Sequence, residues 1–321
     1  MTKVVAGIDL GGTTASLALA EPDGSIIAER KIATESYAGP DRVLERIADA
    51  IKEMAGESGR RPVALGIGLP GLVDIESGVS RFMPNLPTNW VDVDVTGILS
   101  SLVRCRVAVI NDARAATLGE LRFGHGREFG SLALFTLGTG VGGGVAIDGK
   151  LRSGPFGAAG EFGHLAVLPH GPLCGCGNRG CLETLISGPA LTGEAVRLMH
   201  SGRAPILNDL VDGEVAKVTP KSMAEAARAG DEVLGSTIDA RAEYLGIGVA
   251  NVVMTVHPEI IVLSGGVAEM DELILEPVRR TIRDRVSMVP TDAIRVEKSQ
   301  VGERAGLFGT LALAAELDLD S

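Results

Sequence analysis

An apolar run at residues 3 to 10 ends in Gly11-Gly12-Thr13-Thr14, and a second at 131 to 137 ends in the glycine-rich stretch Gly138 to Gly144. Ile8-Asp9-Leu10-Gly11 lines up with Phe135-Thr136-Leu137-Gly138, and each is followed by a small-residue strand and an Asp-Gly turn, Asp23-Gly24 and Asp148-Gly149. A faint internal repeat of this kind predicts two related domains, for which 321 residues are enough. Glycine lets a backbone fold closely around an anion, so each turn can offer N–H groups to phosphate oxygens. Taken singly, each is equally compatible with an ordinary hairpin turn. Neither matches a Walker A loop or a helix-opening dinucleotide fingerprint, because strand-like sequence follows both. Their matching positions in the two halves favour phosphate binding across an interdomain cleft.

The segments between the turns read as an α/β layered fold. Residues 15 to 34 predict two strands around Pro22-Asp23-Gly24, and helical spacing from Val43 to Met54 predicts a helix with Asp41 placed to cap it. A strand at 63 to 69 stops at Pro70-Gly71, and the loop after it carries Asn85 and the only tryptophan, Trp90. That loop is open to two readings, the wall of a ligand cleft and a plain exposed surface. Further expectations are a helix at 95 to 102, a strand at 106 to 110 and a helix at 113 to 121. Helices at 189 to 200, 222 to 229 and 232 to 256 follow, then a strand at 260 to 263 and helices at 272 to 285 and 303 to 317. Asn111-Asp112, between a strand end and a helix start, suits either side chains pointing into a cleft or a helix N-cap, and spacing leaves both open.

Hydrophobic residues make up 45% of the chain but aromatics only 3%, so small aliphatic side chains must dominate the cores. The net charge of −11, with no dense basic run, argues against nucleic-acid binding. No apolar stretch reaches the roughly 18 residues of a membrane span, and the first strand begins close to Met1; a soluble cytoplasmic protein is the expectation. Cys105 reads as a buried small hydrophobe. The other three cysteines crowd together: His164, Cys174, Cys176 and Cys181 are separated by 10, 2 and 5 positions, with glycines between them. Three thiolates and an imidazole make a closed tetrahedral Zn²⁺ site, which points to a structural ion. Glu161 and Glu183 flank it, and carboxylates held at fixed points suit the recognition of sugar hydroxyls.

At Asp9-Leu10-Gly11-Gly12-Thr13, at 137 to 144, at Glu161-Phe162-Gly163-His164 and at the cysteine run 174 to 183, the chain resembles the ROK family of bacterial sugar kinases and sugar-responsive repressors. That family lies within the actin, Hsp70 and hexokinase-like ATPases, and the likeness runs over essentially the whole chain. It implies two actin-like (ribonuclease H-like) α/β domains around a cleft: a small one at 1–112 completed by helix 303–321, and a larger one at 113–302 with a zinc loop at 164–181. It implies ATP-dependent phosphorylation of the 6-hydroxyl of a hexose, glucose first, with N-acetylmannosamine or N-acetylglucosamine as alternatives. Asp112 then matches the catalytic base. Asn85, Asn111, Asp112, Glu161, His164 and Glu183 match sugar ligands, and His164 can bind zinc through one nitrogen while the other faces the sugar. Asp9, Gly11, Gly12, Thr13, Thr14, Gly138, Thr139, Gly140, Gly265 and Gly266 fall to ATP, with Mg²⁺ near Asp9, and a homodimer is implied. Two departures from the family pattern are the residues Pro87-Thr88-Asn89 before Trp90 and Thr14 in place of a common lysine. Family regulators carry a DNA-binding segment ahead of the first phosphate strand, so the early start of that strand is read against a repressor.

Overall fold

The computed structural model of the chain describes residues 3–83, 86–88 and 90–319. Contacts divide the chain into two compact units. One holds the residues up to Gly130, Gly144–Gly160 and the chain from Glu303; the other holds Ser131–Gly143 and Glu161–Gly302.

In the first unit β1 (Val5–Leu10), β2 (Thr14–Ala20) and β3 (Ile26–Ala33) form an antiparallel meander, as the turn residues predict. Helix α1 (Pro40–Ser58) leads to β4 (Ala64–Leu69) and a small sheet of β5 (Leu72–Asp74), β6 (Val79–Phe82) and β7 (Val93–Asp94). Then come α2 (Val95–Val103), β8 (Arg106–Asn111) and α3 (Asp112–Phe123). The main sheet runs β3-β2-β1-β4-β8, with β1, β4 and β8 parallel.

Alternation along β1 explains the two layers that cover this sheet. Ala6, Ile8 and Leu10 join Val43, Leu44, Ile47, Ile51 and Met54 of α1 in one core, while Val5 joins Leu307, Leu311 and Ala314 of the last helix on the opposite face. On that face a Cβ at Gly66 would stand 2.1 Å from the carbonyl oxygen of Thr310, so only glycine admits the helix so close.

Two expectations are corrected. Helix α1 is capped by Gly39, with Pro40 in its first turn and Asp41 already helical; proline at a first helical position needs no N–H partner, which moves the start forward. Trp90 is not exposed but 1% accessible, packed in the α1 core, and its carbonyl accepts a 2.9 Å bond from the Ser80 hydroxyl. Cys105 is half-buried, which pushes its thiol up to about 11.

The second sheet is built from β9 (Leu132–Leu137), β10 (Val141–Ile147) and β11 (Lys150–Arg152), joined later by β12 (Ile260–Ser264) and β13 (Arg295–Lys298). Its order, β11-β10-β9-β12-β13, repeats that of the first sheet, as the internal repeat predicts. Between them the chain forms α4 (Glu183–Ile186), α5 (Gly188–His200), α6 (Pro205–Leu210), α7 (Pro220–Arg228) and α8 (Glu232–Val256); α9 (Glu272–Arg285) separates β12 from β13. The final α10 (Ala305–Leu319) belongs to the first unit. No helix among the described residues is long and apolar enough to cross a membrane.

Candidate active site

In the first unit, the carboxyl ends of the parallel strands β1, β4 and β8 share one edge: Asp9 pairs with Gly68, and Leu69 with Asn111. Ligands of open α/β sheets gather at such edges. The turn after β1 is closed by a 2.9 Å bond from the Gly11 N–H to the Thr14 carbonyl, and a Cβ at Gly11 would lie 2.9 Å from that same oxygen. Thr34 braces the turn from β3, its hydroxyl on the Gly11 carbonyl at 2.8 Å and its N–H on that of Thr13 at 2.9 Å. Gly12, Thr13 and Thr14 are left exposed. The Asp9 carboxylate lies against Gly306, where a Cβ would be 2.7 Å from Oδ2. Burial raises the pKa of Asp9, and the positive charge of Lys31 opposes that rise. Sequence reasoning missed Gly306, whose role appears only once α10 has returned to β1.

The alternatives left open at Asn111-Asp112 separate. Asn111 is the cap of α3: its side-chain oxygen accepts from the N–H groups of Ala113 (3.0 Å) and Arg114 (3.2 Å), and its amide donates to the Gly71 carbonyl at 2.9 Å. Asp112 is the first helical residue, half-buried, and its Oδ1 accepts from the Ala113 N–H at 2.8 Å. Arg114, 1% accessible, also reaches Asn111 Oδ1 at 3.1 Å; nothing in the sequence pattern marked it as buried.

In the second unit the phosphate-type turn is shorter than the glycine run suggested. The Gly138 N–H bonds the Gly140 carbonyl at 2.9 Å, and strand β10 starts at Val141. The later glycines serve packing instead. A Cβ at Gly143 would meet the Phe162 ring at 2.3 Å, and one at Gly163 would stand 1.9 Å from the Val141 carbonyl. Phe162 stacks on Phe135 with centroids 4.7 Å apart, which seats Glu161 and His164 beside the start of β10. Gly265, at φ 92°, turns the chain around the end of β9, where the Val267 N–H reaches the Leu137 carbonyl at 3.1 Å. Gly138 and Gly266 have no neighbour within 4 Å of a built Cβ, so no packing contact of the chain explains them.

His164, Cys174, Cys176 and Cys181 converge, with their ligand atoms all within 4.8 Å of one another. His164 Nδ1 lies 3.6 Å from Cys174 Sγ, and Cys176 Sγ lies 3.7 Å from Cys181 Sγ. A tetrahedral ion with Zn–S bonds of about 2.3 Å would separate its sulfurs by roughly 3.8 Å, so the cluster has the size such an ion needs. Burial and the neighbouring thiols push the Cys181 thiol up to about 12, and burial raises Cys174; the Asn178 N–H lowers Cys176. His164 turns its other nitrogen, Nε2, toward Glu161 at 4.0 Å. Glu183 links the cluster to the phosphate-type turn: Oε2 accepts from the Val141 N–H at 3.0 Å and Oε1 lies 3.9 Å from Cys174 Sγ. Asn85 lies outside the described residues.

Comparison with known proteins identifies the lineage. A sequence profile of the ROK family matches residues 5–317. The chain belongs to the ROK family. It is 36% identical to the glucokinase of Thermotoga maritima, over 97% of this chain and 96% of that one. Among solved structures it resembles a ROK family glucokinase from Streptomyces griseus in complex with glucose and AMPPNP, at 35% identity and a TM-score of 0.84, covering 98% of this chain and 99% of that chain. It also resembles the ROK hexokinase from Thermus thermophilus, at 32% identity and a TM-score of 0.82, covering 99% and 100%. Both likenesses span the two units, and the repeated sheet order is accordingly the actin-like fold class that the family resemblance implies.

Proposed function

We propose that this protein is a glucokinase, transferring the γ-phosphoryl group of ATP to the 6-hydroxyl of glucose. The observation that carries the reading is the position of Asp112 at the head of α3, next to the cap residue Asn111 and at the carboxyl end of β8, on the sheet edge that also carries Asp9. The 35–36% identity to glucokinases over nearly the whole chain selects the substrate class.

In this reading Asp112 accepts the hydroxyl proton as the oxygen attacks the γ-phosphorus. Phosphoryl transfer of this kind is mostly positioning and charge stabilisation. Glu161, His164 and Glu183, with Asn85 and Asn111, take the sugar hydroxyls. The Gly11–Thr14 and Gly138–Gly140 turns offer phosphate oxygens the N–H groups that their own closing bonds do not use, and Gly265-Gly266 leaves room for the nucleotide. Asp9 is the residue that would hold Mg²⁺, which when bound neutralises phosphate charge. His164, Cys174, Cys176 and Cys181 would hold a structural Zn²⁺ that stiffens the loop and fixes the face His164 presents to the sugar. The same reading takes the enzyme as a cytoplasmic homodimer, and sedimentation of the purified protein tests the second part.

ADP release from ATP and Mg²⁺ is the primary test, run across glucose, mannose, N-acetylmannosamine, N-acetylglucosamine and fructose. Turnover dominated by glucose supports the proposal; preference for an acetylated sugar moves the enzyme to hexosamine metabolism; no turnover with any sugar rejects it. Asp112→Asn should lower kcat by ~10²–10⁴ while calorimetric glucose binding persists. Near-full activity in that variant removes Asp112 from the role.

A further inference from the structure

Both phosphate-type turns are built from glycine, threonine and valine, so they offer N–H and hydroxyl groups but no positive charge. Asp9 beside the first turn adds a negative one. Beyond the Mg²⁺ that Asp9 would hold, any side-chain cation for a triphosphate bound there has to come from another element.

Strand register supplies a candidate. Asp9 of β1 pairs with Ser16 of β2, and Ser16 pairs with Lys31 of β3. Residues in one cross-strand row project from the same face, and adjacent strands lie about 4.7–4.9 Å apart, so Lys31 stands about two strand spacings from Asp9. That is within reach of a flexible four-carbon stem. The lysine charge is felt at the Asp9 carboxylate, consistent with this separation. Thr34, three residues on, ties the end of the same strand to the carbonyls of Gly11 and Thr13.

The neighbouring cations are committed elsewhere. Arg30 projects from the opposite face and pairs with Glu53 at 2.6 Å and Glu57 at 2.8 Å on α1. Arg304, at the start of the last helix, pairs with Glu29 at 2.6 Å. Lys31 is exposed and makes no hydrogen bond or ion pair among the described residues. A lysine on an edge strand can also serve simply to deter pairing with other chains, and the two roles predict different phenotypes.

We propose that Lys31 is a substrate-contacting residue whose ammonium pairs with a phosphate of the nucleotide held at the Gly11–Thr14 turn. The inference rests on the ATP-dependent kinase reading and assigns that site its missing charge. It is tested in the full-length protein with Lys31→Gln and Lys31→Arg, measuring AMPPNP binding by calorimetry without sugar, glucose binding without nucleotide, steady-state kinetics and thermal midpoint. Lys31→Gln should weaken AMPPNP binding and lower kcat, each by about tenfold, the order of one charge-assisted contact. Lys31→Arg should recover most of both, with glucose binding and the midpoint unchanged in either variant. If Lys31→Gln matches the wild type in AMPPNP affinity and kcat, the Lys31 assignment falls while the kinase reading stands. A parallel loss of glucose binding or of thermal stability would make Lys31 structural and also overturns it. If the wild-type protein binds no nucleotide and turns over no sugar, both fall together.

Discussion

Asp9 is a residue whose charge the fold disfavours. Its carboxylate is desolvated under the first residues of α10, so its pKa in the folded state is raised above the unfolded value. A carboxyl with a raised folded pKa opposes folding once it ionises. The penalty is absent below the unfolded value, near 4, and grows as pH rises through the folded pKa. Asp9→Asn should therefore raise the thermal midpoint at pH 7 relative to the wild type, with the gap closing toward pH 4, while Mg²⁺-dependent turnover is lost. Thermal melts at the two pH values, beside an activity assay, check both halves. At this scale the sequence was legible in residue identity and less so in role. Asn111 and Asp112 each suit capping on spacing alone, and only the helix start, one residue earlier than expected, divides the tasks. Trp90 looked exposed because a polar loop surrounds it. Its burial comes largely from α1, an element well before it in the chain, which no local pattern reveals.

The elements that could be read were those long enough to show a period. Helices α8 and α9 have the bounds that apolar spacing gives, whereas β5, β6, β7 and α6 are too short to establish one. Strand β10 was hidden differently. Its glycines look like a turn, but they are strand residues that let Phe162 approach. The cysteine loop was legible because its chemistry depends on spacing more than on fold. If the proposed zinc is present, metal analysis should find one ion per chain, and Cys176→Ser should lose it. Prolonged chelation should then lower the thermal midpoint and weaken glucose binding through His164. A zinc-free protein with unchanged melting would reject the structural role. Close backbone approach makes a second prediction: a Cβ at Gly309 of α10 would stand 1.7 Å from the Ala115 carbonyl of α3. Gly309→Ala should destabilise the first unit by about 1–3 kcal/mol, read as a midpoint lowered by about 2–4 °C per kcal/mol.

For the whole molecule, the repeat of two glycine turns foretold two sheets of one strand order, β3-β2-β1-β4-β8 and β11-β10-β9-β12-β13. The path of the chain between the units was less legible: Gly144–Gly160 belongs with the first unit although it follows the second glycine turn. Helix α10 covers the face of the first sheet that carries Val5, Ala18, Ala20 and Ala64, with Arg122 bonded to Glu316 at 2.6 Å near its far end. Residues up to 302 should consequently leave that face bare. A truncation there should yield a protein whose first unit fails to fold, detectable as lost near-ultraviolet dichroism and rapid proteolysis before residue 130.

The only tryptophan of the chain belongs to that same unit, sealed in its α1 core. The protein thus carries an intrinsic optical label confined to one half. Its emission should move to the red when the first unit opens, whatever the state of the second, while far-ultraviolet dichroism records both. Coincident transitions from the two signals would mean that the halves melt as one cooperative body, and separated ones would give each half its own melting curve without any added dye.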